Sequence, residues 1–182
     1  MRCFVLDKRL EANLLVKKKI TDAFFRLMEK KSISEISVSE LIATAGVARS
    51  SFYRNYDSME DVLHGYISQF IDEFTETNPV RTVDFASRDY MRHVFRFYYE
   101  RRDRVMLLYN SGLSSTILKE ITDYNIEAIG DMPAGSIRRY SLYYYSGALF
   151  SVVIHWLESG AKESVEDMAN GFCSMVSSVT DI

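Results

Sequence analysis

Apolar positions recur along this chain with the spacing of a helix. Ile20, Ala23, Phe24, Leu27 and Met28 follow the i, i+3, i+4, i+7, i+8 rule, while Lys17, Lys18, Asp22 and Arg26 occupy the other faces. This predicts a first helix over about 11–30. Ser37 with Glu40 three residues on has the spacing of a capping box and opens a second helix running to Ala45. Gly46 breaks it, and a short third helix covers about 49–55. Ser58-Met59-Glu60-Asp61 places acids in the first turn of a fourth helix. Its stripe is Leu63, Tyr66, Ile67, Phe70, Ile71 and Phe74, and Pro79 ends it.

Further on, Asp84 or Ser87 opens a fifth helix to about Glu100, and a sixth ends near Asn110. Ser111-Gly112 is a break before a seventh to about Ile129. Gly130-Asp131-Met132-Pro133-Ala134-Gly135 is the strongest loop signal in the chain. A long eighth helix spans about 136–158, and a ninth carries Val165, Met168, Ala169, Phe172 and Val176 on one face. No strand pattern emerges. The expectation is an all-α fold of about nine helices: a three-helix, helix-turn-helix unit followed by a helical bundle.

Composition agrees. The chain has 182 residues, 47% of them hydrophobic, but only 8 Gly and 2 Pro, which favours long helices with few connections. Cys3 and Cys173 form no disulfide framework, which suggests a reducing compartment. No run of about 18 apolar residues exists to span a membrane, and the first eight residues hold too short an apolar run for a secretion signal. The expected location is the cytoplasm.

The net charge of −3 divides unevenly. Residues 1–60 hold 11 Lys and Arg against 8 Asp and Glu, a balance of +3; residues 61–182 hold 11 against 17, a balance of −6. A basic front and an acidic back fit two jobs, with any polyanion met at the front. Enzyme chemistry lacks parts. His64, His93 and His155 are far apart with no Cys or carboxylate at metal spacing, and there is no Gly-rich phosphate loop or nucleophile elbow. No metal and no cofactor is expected.

The segment from Val38 to Tyr56 carries the chemistry. It is two short helices around a Gly turn, with Leu41, Ile42, Ala45, Val47 and Phe52 placed as a shared small core. The second helix is short and polar: Arg49, Ser50, Ser51, Tyr53, Arg54 and Asn55. Arg can be bidentate to guanine and Asn to adenine, while Ser and Tyr hydroxyls suit the phosphate backbone. Spacing alone leaves two readings open, a DNA-reading unit or an ordinary helical turn with a solvated face.

From Ser37 to Val62 the chain resembles the DNA-binding signature of the tetracycline-repressor (TetR) family of bacterial regulators. The likeness rests on the Ala45-Gly46-Val47 turn, the Phe52-Tyr53-Arg54-Asn55-Tyr56 helix end, Ser58-x-Glu60-Asp61, and Phe24-x-x-Leu27-Met28 upstream. More weakly it extends to Tyr145-Ser146-Gly147 and Trp156-Leu157-Glu158-Ser159-Gly160. The resemblance implies residues 1–60 as the DNA-binding domain and 61–182 as a ligand-sensing and dimerising domain. It implies double-stranded operator DNA as partner, and a small-molecule effector. Ser37 and Ser39 would meet phosphate at the start of the second helix. Arg49, Ser50 and Ser51 would face bases; the Tyr53 hydroxyl would touch the backbone, with Arg54 and Asn55 beside it. Phe52 and Tyr56 would pack.

Two positions depart from the family pattern. Ala48 stands where Ser or Thr usually caps the recognition helix, and Met59 where a Lys commonly pairs with phosphate. Both imply weaker non-specific DNA affinity, and restoring Lys at 59 would steepen the salt dependence. They also keep alive an alternative, a co-regulator with weak DNA binding that acts through a protein partner.

For the second half the resemblance implies a homodimer built on the eighth and ninth helices, with Gly147, Val165, Met168, Phe172 and Val176 at the interface. The competing reading makes both faces intramolecular core. Aromatics crowd the middle of the chain, and Phe95, Tyr98, Tyr99, Tyr109, Tyr124 and Tyr144 are candidates to line an effector pocket. An aromatic core with rim hydroxyls is the alternative. Arg88, Arg92 and Arg96 recur every four residues, as either a solvated face or an anion-recognising wall. His93 and His155 are expected in the core or at a rim.

Overall fold

The computed structural model describes residues 8–78, 83–130 and 136–180. Cys3, Pro79 and the loop signal from Asp131 to Gly135 lie outside the described residues. Nine α-helices and no strand are found among those described: α1 Lys8–Met28, α2 Val38–Ala45, α3 Arg49–Tyr53, α4 Met59–Thr77, α5 Arg88–Glu100, α6 Arg102–Asn110, α7 Ser114–Ile129, α8 Ile137–Glu158 and α9 Val165–Thr180. A single 3-10 turn, Ile33–Glu35, follows α1. Its Ser32–Glu35 capping box was not anticipated from the sequence, because one turn carries no periodicity.

The chain divides into two compact units, Met1–Ser68 and Gln69–Ile182. The break falls inside α4. The reason is visible in α4, whose first turns bury Val62, Leu63, Tyr66 and Ile67.

In the first unit α1, α2 and α3 pack on one another. The fully buried side chains are Ile20, Ala23 and Phe24 of α1, Leu41 of α2, Phe52 of α3 and Val62 of α4. Phe25 meets Tyr66 of α4 edge-on, with centroids 4.6 Å apart. Arg26 donates to the Thr44 carbonyl at 3.2 Å, tying α1 to the end of α2.

In the second unit α5 is central, packing against α6, α8 and α9. It buries Tyr90, Met91, Val94, Phe95, Phe97 and Tyr98. Ser87, not Asp84, caps it by accepting from the Tyr90 amide at 3.3 Å. Phe95 is fully buried between Trp156 of α8 and Phe172 of α9. Across α5 and α9, Arg92 grips Glu166 through two bonds, at 2.5 and 2.9 Å. That fork is half-exposed, so it orients the helices more than it stabilises them. α7 lies along α8, joined inside the core by Asn125 Nδ2 donating to Ser146 Oγ at 2.9 Å.

The expected dimer face is partly consumed by this packing. Phe172 and Val176 are only 3% and 8% exposed within their own chain, because α9 turns that face onto the core around α5. A buried side chain has no surface left for a partner, so for these two residues the intramolecular reading is the one the packing supports. Gly147, Val165 and Met168 are half-buried and keep surface to offer.

Candidate nucleic-acid interface and cavity

The turn between α2 and α3 is built by local chemistry. Ser37 Oγ accepts from the Glu40 amide at 3.2 Å, closing the first turn of α2. Glu40 also takes a hydrogen bond from Lys31, which fixes the entry to the helix. Gly46 sits in the left-handed region at φ 62°, ψ 39°, and its amide and that of Val47 satisfy the last carbonyls of α2. A side chain there would meet nothing within 4 Å, so the demand for glycine comes from the backbone alone.

α3 is five residues long and has no side-chain cap, since Ala48 precedes it with extended backbone and nothing to donate to. Phe52 is its anchor. The ring is fully buried, edge-on to Tyr53 and tilted against Tyr56. Around that anchor Arg49, Ser50, Tyr53 and Arg54 are exposed, and Ser51 and Asn55 half-exposed. Arg49 lies over the Tyr53 ring at 5.5 Å, with an Nη2–hydroxyl distance of 3.4 Å. Asn55 is partly committed, donating to the Ser51 carbonyl at 2.8 Å, where it closes the end of the short helix. Ser37 and Ser39 are exposed at the start of α2. Thus the eight sequence-predicted contact residues are brought together on one small unit.

Met59 is a different matter. It is 9% exposed, packed into the unit at the first residue of α4. As Met it packs there; a Lys at this first residue of α4 would keep its stem in the same place and extend its ammonium outward. The start of α4 is instead set by Ser58 and Asp61. Asp61 Oδ2 accepts from the amides of Asp57 and Ser58 at 2.9 and 3.0 Å, and Ser58 Oγ accepts from the Asp61 amide at 3.1 Å. Tyr56, 8% exposed, is pushed up in pKa by burial and keeps a hydrogen bond with Thr21.

The second unit holds a cavity, open on one side, with about 40 Å³ of room for the centre of a water-sized sphere. Phe70, Ile71 and Phe74 of α4, Val94 of α5, Ile121 of α7 and Leu149 of α8 make its apolar wall. Its polar groups are Tyr90, Tyr98, Tyr124 and Asn125. Thr75 gives its hydroxyl proton to the Ile71 carbonyl at 2.8 Å, so the Tyr124 hydroxyl donates to Thr75 Oγ1 at 3.0 Å. Burial pushes the Tyr90 and Tyr98 phenols well above their usual pKa, so both stay protonated.

Of the six residues expected to line a pocket, Tyr98 and Tyr124 do so. Phe95 is core. Tyr99 is 39% exposed beneath the Arg102 guanidinium, Tyr144 is 54% exposed, and Tyr109 is half-buried away from the lining. The sequence reading missed Asn125, although an amide on the apolar stripe of α7 was the available signal. Arg88, Arg92 and Arg96 do not line the cavity, and Arg92 is spent on Glu166 and Asp89. Of the core and rim positions expected for His155, its exposure excludes the core; its Nδ1 lies 2.9 Å from the Ser151 carbonyl.

A buried three-helix unit that holds out a short polar helix after a glycine turn, followed by an all-helical unit, defines a helix-turn-helix protein. The family model for "bacterial regulatory proteins, tetR family" matches residues 20–66, and that for "transcriptional regulator C-terminal region" matches 86–178. The chain belongs to the TetR family, the bacterial DNA-binding transcriptional regulators. Among solved structures, a TetR transcriptional regulator from Streptococcus agalactiae 2603V shares the fold with a TM-score of 0.62 and 21% identity, over 93% of this chain and 99% of that one. The dihydroxyacetone kinase operon activator DhaS gives a TM-score of 0.55 at 18% identity, over 91% of this chain and 96% of its own. No curated protein matches. Among the described residues no helix is long and apolar enough to cross a membrane.

Proposed function

We propose that the chain represses transcription by binding a palindromic operator as a homodimer, and that a small molecule held in the cavity of the second unit releases it. Residues 1–60 read DNA and residues 61–182 sense and dimerise. The observation that carries this reading is α3, where Arg49, Ser50, Tyr53 and Arg54 are exposed around a fully buried Phe52. A rigid anchor with flexible polar ends is what a groove-entering helix needs. Arg49, Ser50 and Ser51 face bases. Ser37, Ser39 and the Tyr53 hydroxyl meet phosphate, with Arg54 and Asn55 beside them. In a two-fold dimer the recognition helices sit about 34–36 Å apart, one turn of DNA.

The dimer surface rests on Gly147, Val165 and Met168, joined by the exposed Met175 of α9 and by Tyr140, Tyr143 and Tyr144 of α8. Release works by population shift: an effector that binds better to an arrangement with mismatched half-site spacing lowers operator affinity.

Arg49→Ala tests the DNA reading. Affinity for the DNA upstream of the chain's own gene, read by gel shift, should fall by about 1–3 kcal/mol, roughly five- to 150-fold. Thermal stability should hold, because Arg49 is exposed. Unchanged affinity in the variant removes α3 as the reading helix. Ala48, which gives α3 no side-chain cap, favours a second reading, a co-regulator that binds DNA weakly and acts through a protein partner. An intact dimer that shifts no upstream DNA even at low salt selects that second reading.

A further inference from the structure

Among the described residues, the wall of the cavity holds no Lys, Arg, Asp or Glu. Arg101 lies 3.6 Å over the Phe97 ring and pairs with Glu73 at 3.1 Å, and neither residue of that pair lines the cavity. His93 is also off the lining, with Nε2 3.2 Å from the Phe74 carbonyl. A charged ligand entering here would give up its hydration with no counter-charge to replace it.

The wall does hold polar groups with capacity to spare. Tyr90 and Tyr98 are 3% and 8% exposed, and among the described residues neither hydroxyl has a hydrogen-bond partner. Neither hydroxyl is a sealed, unsatisfied atom, so both are open to a group entering the cavity. Asn125 gives its Nδ2 to Ser146, and its carbonyl oxygen has no partner among the described residues. Donors and an acceptor are therefore both on offer, and all are neutral. Aromatic edges frame them. Phe70 meets Tyr98 edge-on at 5.4 Å, and Phe74 meets Tyr90 edge-on at 6.0 Å.

We propose that this cavity takes an uncharged apolar molecule of ring size carrying a hydroxyl or carbonyl group, which Tyr90 and Tyr98 hold through that group. The proposal rests on the effector reading above and names its chemical class. Anionic effectors, carboxylates and phosphates among them, are excluded by the wall, as are ammonium compounds. A hydroxyl on the ligand donates to Asn125 and accepts from a phenol; a carbonyl accepts from both phenols.

The test uses the full chain and three probes of one shape at neutral pH: naphthalene, 2-naphthol and 2-naphthoate. Binding is measured by calorimetry and by the rise in unfolding temperature. 2-Naphthol should bind at least about tenfold more tightly than 2-naphthoate. In Tyr98→Phe the margin of 2-naphthol over naphthalene should shrink by about three- to tenfold, the worth of one hydrogen bond, while naphthalene itself binds as before. Tyr90→Phe is the second variant, expected to act in the same sense should the first fail to fold. Three results overturn the proposal: 2-naphthoate binding as tightly as 2-naphthol, a margin unmoved in both variants, or no binding of 2-naphthol at millimolar concentration and of naphthalene up to its solubility. Gel shift with saturating 2-naphthol separates this inference from the one beneath it. Tight, Tyr98-dependent binding that leaves operator affinity unchanged supports the cavity chemistry and defeats the effector role.

Discussion

At Gly65 the chain gives up helix propensity for room. A Cβ built there would stand 2.9 Å from Tyr56 Cε1, so the missing side chain is what lets the Tyr56 ring lie against α4. Alanine is the better helix former by about 1 kcal/mol, yet the overpacking of a buried ring outweighs that. Gly65→Ala should lower stability by about 1 kcal/mol net in urea titrations, and should raise it by up to about 1 kcal/mol in a Tyr56→Leu background, where the ring is gone and only the helix propensity of Ala remains. His93 makes a second prediction. Burial against Phe74 and Phe97 lowers its pKa; the Phe74 carbonyl and Glu100 act in the opposite sense, Arg101 and Arg96 with the burial. A histidine depressed in the folded state binds fewer protons there than when unfolded. Its neutral form therefore supports stability above the unfolded pKa, and that support is lost as pH falls through the lower, folded value. Stability measured from pH 7 down to 5 should decline less steeply in His93→Gln; an unchanged slope would show that His93 is not the group responsible.

Helix by helix, the chain shows what periodicity can and cannot reveal. α1, α2, α4 and α9 were legible because each repeats an apolar stripe over two turns or more, and Gly46 stopped α2 at Ala45 as its left-handed backbone requires. The faces of α9 were legible as apolar but not as to what they cover. Phe172 and Val176 read equally well as a surface for a partner and as core, and only the packing onto α5 decides. The cavity was legible in part. Tyr98 and Tyr124 could be named from aromatic crowding, but which side of a tyrosine-rich helix faces a void depends on neighbours from α4, α7 and α8. α3 is the element to alter. Ala48→Ser supplies the side-chain oxygen its first turn lacks, and should raise stability by about 0.5–1 kcal/mol and tighten operator binding. If stability rises and operator affinity does not, loose capping is not what limits DNA binding.

For the whole molecule, the dimer proposal has a direct check. Light scattering at micromolar concentration should give twice the chain mass of 21.0 kDa, and Met175→Glu, which places a charge on an exposed apolar position of α9, should shift that mass toward the monomer. A monomeric wild-type chain ends the proposal. The packing of α9 on α5 also has a consequence for synthesis. The packing of α1, α2 and α3 with the first turns of α4 lies within residues 8–68, so it can form while later residues are still being added. That of the second unit cannot. The Arg92–Glu166 grip spans 74 residues, and Phe95 has no cover on one side until Phe172 arrives. During translation the apolar side of α5 waits uncovered for α9. That interval is when a nascent chain is open to chaperones and to self-association, and slow decoding between codons 100 and 165 would lengthen it.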